Sequence, residues 1–348
     1  MTKDTIELEV VKMIRLSVLD QSPIPNGATA VEALVNTTRL AQEVENLGYS
    51  RFWVSEHHFS PSLAGSSPEV LISHLASKTS RIRVGSGGVM LPHYSPYKVA
   101  ENFRVLEGLN PNRIDLGIGR APGGMPLATR ALQEGYFANG DPYPQQIEDL
   151  KTYLYDLADE RFRFPELRAT PLIETVPKMW LLGSSGGSAR LAAQHGTGYA
   201  FAHFINGEGG EDVIHWYKSR FQPSIINDAP QTLVAVFAFC ADTEEEAEDL
   251  ARTLDISLLL LEKGVPSNRY PSVEEAKSYR LTDYEYYRIA ENRKRMIIGT
   301  KEQVRDQILE MSEAYGTEEF MLVTITHDFE DKLKSYRLIA DAFDMKKD

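Results

Sequence analysis

The 348-residue chain contains a single cysteine, Cys240, which excludes both an intrachain disulfide and a cysteine-built metal site. That cysteine lies in the apolar run 232–240, where a small buried hydrophobe is the expected role. About eighteen consecutive apolar residues occur nowhere, so no membrane-spanning helix is expected. Residues 1–12 mix acids with short apolar pieces and lack the basic-then-apolar order of a secretory signal, which makes the cytoplasm the expected location. Positive charge is scarce: 37 Lys and Arg stand against 50 Asp and Glu, a formal net charge of -13. Duplex nucleic acid is therefore not an expected partner, because neutralising its phosphates takes clustered Lys and Arg. The acidity reads as solubility. Internal repeats and low-complexity tracts are also missing.

What the chain does have is rhythm. Short β-rich runs alternate with longer segments of helical spacing. Expected strands cover 14–19, 51–55, 82–91, 114–119, 178–182, 199–203, 233–240 and 319–325. Between them, helical patterns cover 30–47, 68–80, 96–109, 146–159, 188–195, 211–222, 244–254 and 301–315, with a last helix over 331–343. Near-continuous apolar strands followed by helices indicate a parallel sheet covered on its faces. The expected fold is one TIM (β/α)8 barrel domain over 1–348. The rival is an open doubly wound sheet, which would carry a glycine fingerprint after its first strand; Asp20-Gln21-Ser22-Pro23 stands there instead. Two segments break the rhythm: a Gly-, Pro- and Asn-rich loop over 121–145, and an insertion over 256–295 dense in charge and tyrosine. The insertion reads equally as a loop over the barrel mouth and as a surface elaboration or dimer contact.

In a barrel the functional groups gather at the C-terminal ends of the strands. The second strand ends on Glu56-His57-His58, the third on Ser86-Gly87-Gly88, the fourth on Gly119-Arg120 and the fifth on Gly183-Ser184-Ser185-Gly186-Gly187-Ser188. The last of these leads into a helix N-terminus, whose free N–H groups and dipole suit an anion such as phosphate, although a plain tight turn explains it as well. Arg120 could add a bidentate contact to the same phosphate. Gly87-Gly88 weakens its strand, which fits a flat ring approaching the backbone or a simple bulge. His57 and His58 point to opposite sides, so only one of them faces the mouth; with no third ligand evident, no metal is expected. A single mouth-facing His suits proton transfer or hydrogen bonding to substrate.

The runs RFWVSEHHF (51–59), VGSGGVMLPHYSPYKVAE (84–101), NRIDLGIGRAPG (112–123) and LLGSSGGSARLAAQHGTGYAFAHF (181–204), with IIGTKEQVRDQI (297–308), resemble the bacterial luciferase-like flavin monooxygenases. The resemblance spans nearly the whole chain and implies a barrel that uses reduced FMN and molecular oxygen on a small organic substrate. By position it makes His57 the catalytic histidine. It places Gly87 and Gly88, often joined by a cis peptide, against the isoalloxazine ring, and counts Ser86 among the cofactor-binding residues. Arg120 then falls near the flavin phosphate, and Gly183, Ser184, Ser185, Gly186 and Ser188 form the phosphate loop. A homodimer and a separate flavin reductase belong to the same expectation. The reactive cysteine that light-emitting members carry before this arginine is Gly119 here, so the resemblance does not extend to bioluminescence. Two alternatives share the fold: hydride transfer with the deazaflavin F420, and flavin binding without turnover.

Overall fold

A computed structural model describes residues 13–120, 123–124, 126–134, 141–265 and 269–345. The start of the chain, read above for a signal pattern, and part of the 121–145 loop lie outside the described residues. Four β/α units open the chain: β1 (Arg15–Asp20) and α1 (Ala30–Asn46), β2 (Arg51–Val54) and α2 (Pro68–Lys78), β3 (Arg83–Met90) and α3 (Pro96–Leu109), then β4 (Ile114–Gly119). The 121–145 stretch is not all loop. It carries the short helix α4 (Pro126–Leu132), and α5 (Tyr143–Leu154) begins three residues before the expected start, with Pro144 in its first turn.

Next come β5 (Lys178–Gly183), α6 (Gly186–His195), β6 (Gly198–Ala202), α7 (Gly210–Arg220), β7 (Thr232–Cys240) and α8 (Glu244–Glu262). The remainder is α9 (Val273–Ser278), α10 (Asp283–Arg293), β8 (Met296–Gly299), α11 (Lys301–Tyr315), β9 (Glu319–Val323) and α12 (Phe329–Ala342). β1 through β7 pair in sequence order, all parallel, and β9 pairs with both β7 and β1. That closes a ring of eight strands, the TIM barrel.

β8 is a ninth strand the rhythm did not reveal, because it is only four residues long. It pairs with Phe237–Cys240, the C-terminal half of β7, while the earlier part of β7 pairs with β9. The 256–295 insertion is also corrected. Ile256 and Leu259 are buried members of α8, so that helix continues into the segment as far as Glu262. The rest is two helices, each started by a capping box, at Ser272/Glu275 and Thr282/Glu285. Its chain crosses to the end of β1: the Asn26 amide donates to Tyr270 O at 2.8 Å, and Arg269 Nη1 donates to Ala28 O at 2.6 Å. The insertion therefore lies at the mouth.

One apolar cluster lies between the ring and its helices; a second fills the barrel, built on Leu19, Trp53, Trp180, Leu233, Phe237 and Met321. The inward set alternates with the outward set along each strand, as the two-residue period requires.

Candidate functional site

His57 lies three residues past the end of β2, where the chain has left the ladder but is still tethered: its amide donates to Gly65 O at 2.8 Å. Ser55 Oγ is 3.0 Å from His57 Nδ1, and among the described residues Nε2 has no hydrogen-bond partner, which leaves it as the nitrogen to act. Burial, reinforced by the neighbouring His58, pulls the His57 pKa down from 6.5 to about 4. The ring is thus neutral at physiological pH, able to accept a proton or donate one hydrogen bond.

His58 turns to a different partner set. Its Nε2 is 2.7 Å from Glu56 Oε1, and the same buried carboxylate accepts from Tyr94 Oη at 2.8 Å and from the Met90 amide at 3.0 Å. Glu56 therefore ties the end of β2 to the end of β3. The two histidines have different partners: Ser55 for His57, and Glu56 with Tyr94 for His58. Among the described residues, no group of three His, Cys, Asp or Glu could hold a metal ion.

β3 carries the Gly87-Gly88 pair, joined by a cis peptide, and its register against β4 shifts between Gly87 and Val89. Gly87 faces the barrel interior. A Cβ there would sit 2.7 Å from Leu19 Cδ1, so only glycine leaves the surface flat beneath the mouth. Gly88 lies against the opposite neighbour, where a Cβ would meet Gly117 O at 2.7 Å. Ser86 is fully buried and its hydroxyl is committed to β4: it donates to Gly117 O at 2.8 Å and accepts from Gly117 N at 3.0 Å. Its side chain stitches two strands together and does not face the mouth.

Arg120 follows β4. The β4–β5 register pairs Ile118 with Leu181, so two residues on Arg120 leaves the ring beside Gly183. It forms an ion pair with Asp141 at 2.8 Å, both groups being half-exposed. Asp141 lies at the far end of the long loop, twenty-one residues on, so the pair is not legible from local spacing. Gly183 leads into the loop before α6. The N-cap residue, Ser185, makes no side-chain cap, and Ser185, Gly186 and Gly187 are exposed. The first N–H groups of α6 are therefore open to a ligand. The loop is held from behind by Tyr199 Oη, which donates to Ser185 O at 3.2 Å, and by Asn206 Nδ2, which donates to Ser184 O at 3.2 Å. Ser188 packs so closely on Gly183 that a Cβ at Gly183 would be 2.4 Å from Ser188 Oγ.

β2, β3, β4 and β5 are consecutive neighbours in the ring, so His57, Gly87-Gly88, Arg120 and Ser184–Ser188 occupy one arc of one end. Sequence reasoning missed Ser55, Tyr94, Tyr199 and Asn206. Ser55 alone left a signal, a hydroxyl two residues before the histidine; the other three act from elements remote in sequence.

The family model for luciferase-like monooxygenases matches residues 14–318. The chain is 64% identical to the Bacillus subtilis protein YwcH, covering 95% of this chain and 99% of that protein. It is 41% identical to the B. subtilis N-acetyl-S-alkylcysteine monooxygenase, covering 95% and 98%. Among solved structures, apo-MsnO8 superposes with a TM-score of 0.88 at 36% identity, covering 96% of this chain and 99% of the other. The fold alone is shared with two more distant structures. One is the oxygenating constituent of 3,6-diketocamphane monooxygenase from Pseudomonas putida in complex with FMN, at TM-score 0.66 and 18% identity, covering 94% and 97%. The other is an F420-dependent secondary alcohol dehydrogenase, at TM-score 0.64 and 12% identity, covering 95% and 99%.

Proposed function

This chain belongs to the luciferase-like monooxygenase family, and from that premise we propose that it is an FMN-dependent monooxygenase acting on a small organic substrate. The observation that carries the reading is the arc of four adjacent strand ends, which sets a neutral histidine, a flat glycine surface and an uncapped helix N-terminus side by side. The residues present fit a flavin mononucleotide. The open N–H groups of Gly186 and Gly187, the Ser184, Ser185 and Ser188 hydroxyls and the half-exposed Arg120 guanidinium suit its phosphate. Gly87, which leaves no side chain between the barrel interior and the mouth, suits its ring, with Ser86 holding that strand in place.

Reduced FMN, when bound, supplies the two electrons with which molecular oxygen is divided between substrate and water. His57 holds or accepts a proton at Nε2, with Ser55 fixing the ring through Nδ1. Arg120 would exchange its exposed contact with Asp141 for the phosphate at little cost, since such pairs are worth about 0–1 kcal/mol. Tyr270, tied across the mouth to the β1–α1 connection, helps to keep water out. The reading includes a separate reductase that delivers the reduced flavin, a homodimer, one barrel domain and a cytoplasmic setting.

The F420 reading has one observation in its favour, the shared fold of an F420-dependent dehydrogenase. Separate titrations distinguish the two, with ligand fluorescence as the readout. Saturable FMN binding that weakens about tenfold or more in Arg120→Ala supports the proposal, that being the worth of about 1.4 kcal/mol. Tight F420 binding with no FMN binding contradicts it.

A further inference from the structure

The opposite end of the barrel holds a second ligand-shaped feature. A cleft of about 400 Å³ opens where the strands begin, and Arg15, Arg51, Arg83, Lys178 and Lys218 line it. Three of these stand at the first position of β1, β2 and β3, and Lys178 at the first position of β5. Two carboxylates line the cleft, Glu318 on its exposed rim and Glu319 in its buried wall, and a third, Asp115, lies directly behind. The buried carboxylates are spent: Asp115 takes Arg51 at 2.8 Å and Arg83 at 2.7 Å, and Glu319 takes Arg51 at 2.5 Å and Arg15 at 3.5 Å. Lys178 forms no ion pair with any of them. It stands exposed at the cleft, in a positive field.

The inner wall supplies a second, independent observation. Trp180 is 1% exposed, lies beneath the Arg51 guanidinium at 5.0 Å, and its indole Nε1 has no hydrogen-bond partner among the described residues. The corresponding nitrogen of Trp53, one layer neighbour away, is satisfied by Asp115 Oδ2 at 2.9 Å. A buried N–H donor without an acceptor costs about 1–3 kcal/mol, and the ring that carries it stands in the cleft wall against Arg51, where it reports on the field at the cleft.

We propose that this cleft binds a phosphate-type oxyanion, held by Lys178 and by the cation surplus of the strand starts, with the Trp180 ring in its wall beneath Arg51. The site is separate from the one at the mouth and does not depend on the flavin reading. The positive field has a second signature: burial, with Arg83 and Arg51 adding to it, lowers the Lys178 pKa, and a bound anion would reverse that shift.

The chain has three tryptophans, Trp53, Trp180 and Trp216, so a ¹⁵N-labelled sample gives three indole N–H signals. Trp216→Phe and Trp53→Phe identify them. The probe is inorganic phosphate, with sodium chloride at equal ionic strength as the control. The expected result is a saturable shift of the Trp180 signal in the millimolar range, with Trp216 unmoved. Lys178→Met, a change at an exposed side chain, should weaken the titration about tenfold, while Arg120→Ala should leave it as in the parent protein. Adenosine monophosphate is run beside it: a shift at lower concentration than phosphate supports the proposal with a nucleotide as the source, and equal or weaker action supports it with the free anion. The proposal is overturned if neither compound moves Trp180, if chloride moves it equally, if Lys178→Met titrates unchanged, or if Arg120→Ala abolishes the effect and so places the anion at the mouth.

Discussion

The two ends of the barrel are built from the same strands and solve opposite problems. At the strand starts, the buried carboxylates are matched: Asp115 accepts from Arg51, Arg83 and Trp53, and Glu319 accepts from Arg51 and Ser17. Burial pushes the Asp115 carboxyl up, but the two guanidinium groups outweigh it and hold its pKa below the ordinary value. At the strand ends, groups are left open: among the described residues His57 keeps one nitrogen unengaged, α6 lacks a side-chain cap, and Arg120 spends its charge on an exposed partner. The comparison teaches where the chain spends charge on its own stability and where, at the mouth and at Lys178, it holds interactions in reserve for a ligand.

The largest effect that would break this contrast is at the strand starts. Asp115→Asn leaves Arg51 and Arg83 short of a buried counter-charge, and denaturant unfolding should show a loss of about 3–5 kcal/mol. A loss below 1 kcal/mol would mean that the buried network is not what holds this end. The next effect concerns pH. Because the folded-state pKa of His57 is lowered from 6.5 to about 4, the unfolded chain binds the proton more readily as pH falls through that window. Stability contributed by the neutral ring is complete above pH 6.5, declines between about 6.5 and 4, and is gone below; the full amount is about 3 kcal/mol. His57→Gln should flatten that part of the stability–pH curve. An unchanged slope would show that the histidine is not held neutral.

A smaller effect sharpens the contrast from the other side. Arg120→Ala should change folding stability by less than about 1 kcal/mol, since its partner is exposed, while lowering FMN affinity by about tenfold. Were the stability loss the larger of the two, Arg120 would belong with the structural charges and not with the site.

The barrel was legible because its strands are apolar runs separated by long helical periods, and the ring closes as that rhythm implies. β8 was not, since four residues carry no period of their own. The helices inside the 256–295 segment announced themselves only through Ser272 and Thr282 with their glutamates three residues on, a signal easily lost among so many charges. At the mouth, the strand-end rule picked out His57, Gly87-Gly88, Arg120 and the 183–188 loop. It could not show that the Ser86 hydroxyl turns back to Gly117, nor that Asp141 waits for Arg120, because both depend on contacts remote in sequence. The ionic layer left a trace that is clear in retrospect: β1, β2 and β3 each begin on arginine, β5 begins on lysine, and β9 begins on glutamate.

The central claim is that the open end is a flavin site assembled from four neighbouring strand ends. A crystal of this protein soaked with FMN tests it most directly. The account predicts the phosphate against Arg120 and the N-terminus of α6, the ring over Gly87-Gly88, and His57 Nε2 beside it. Flavin density elsewhere, or a phosphate that contacts neither Arg120 nor residues 184–188, would contradict it.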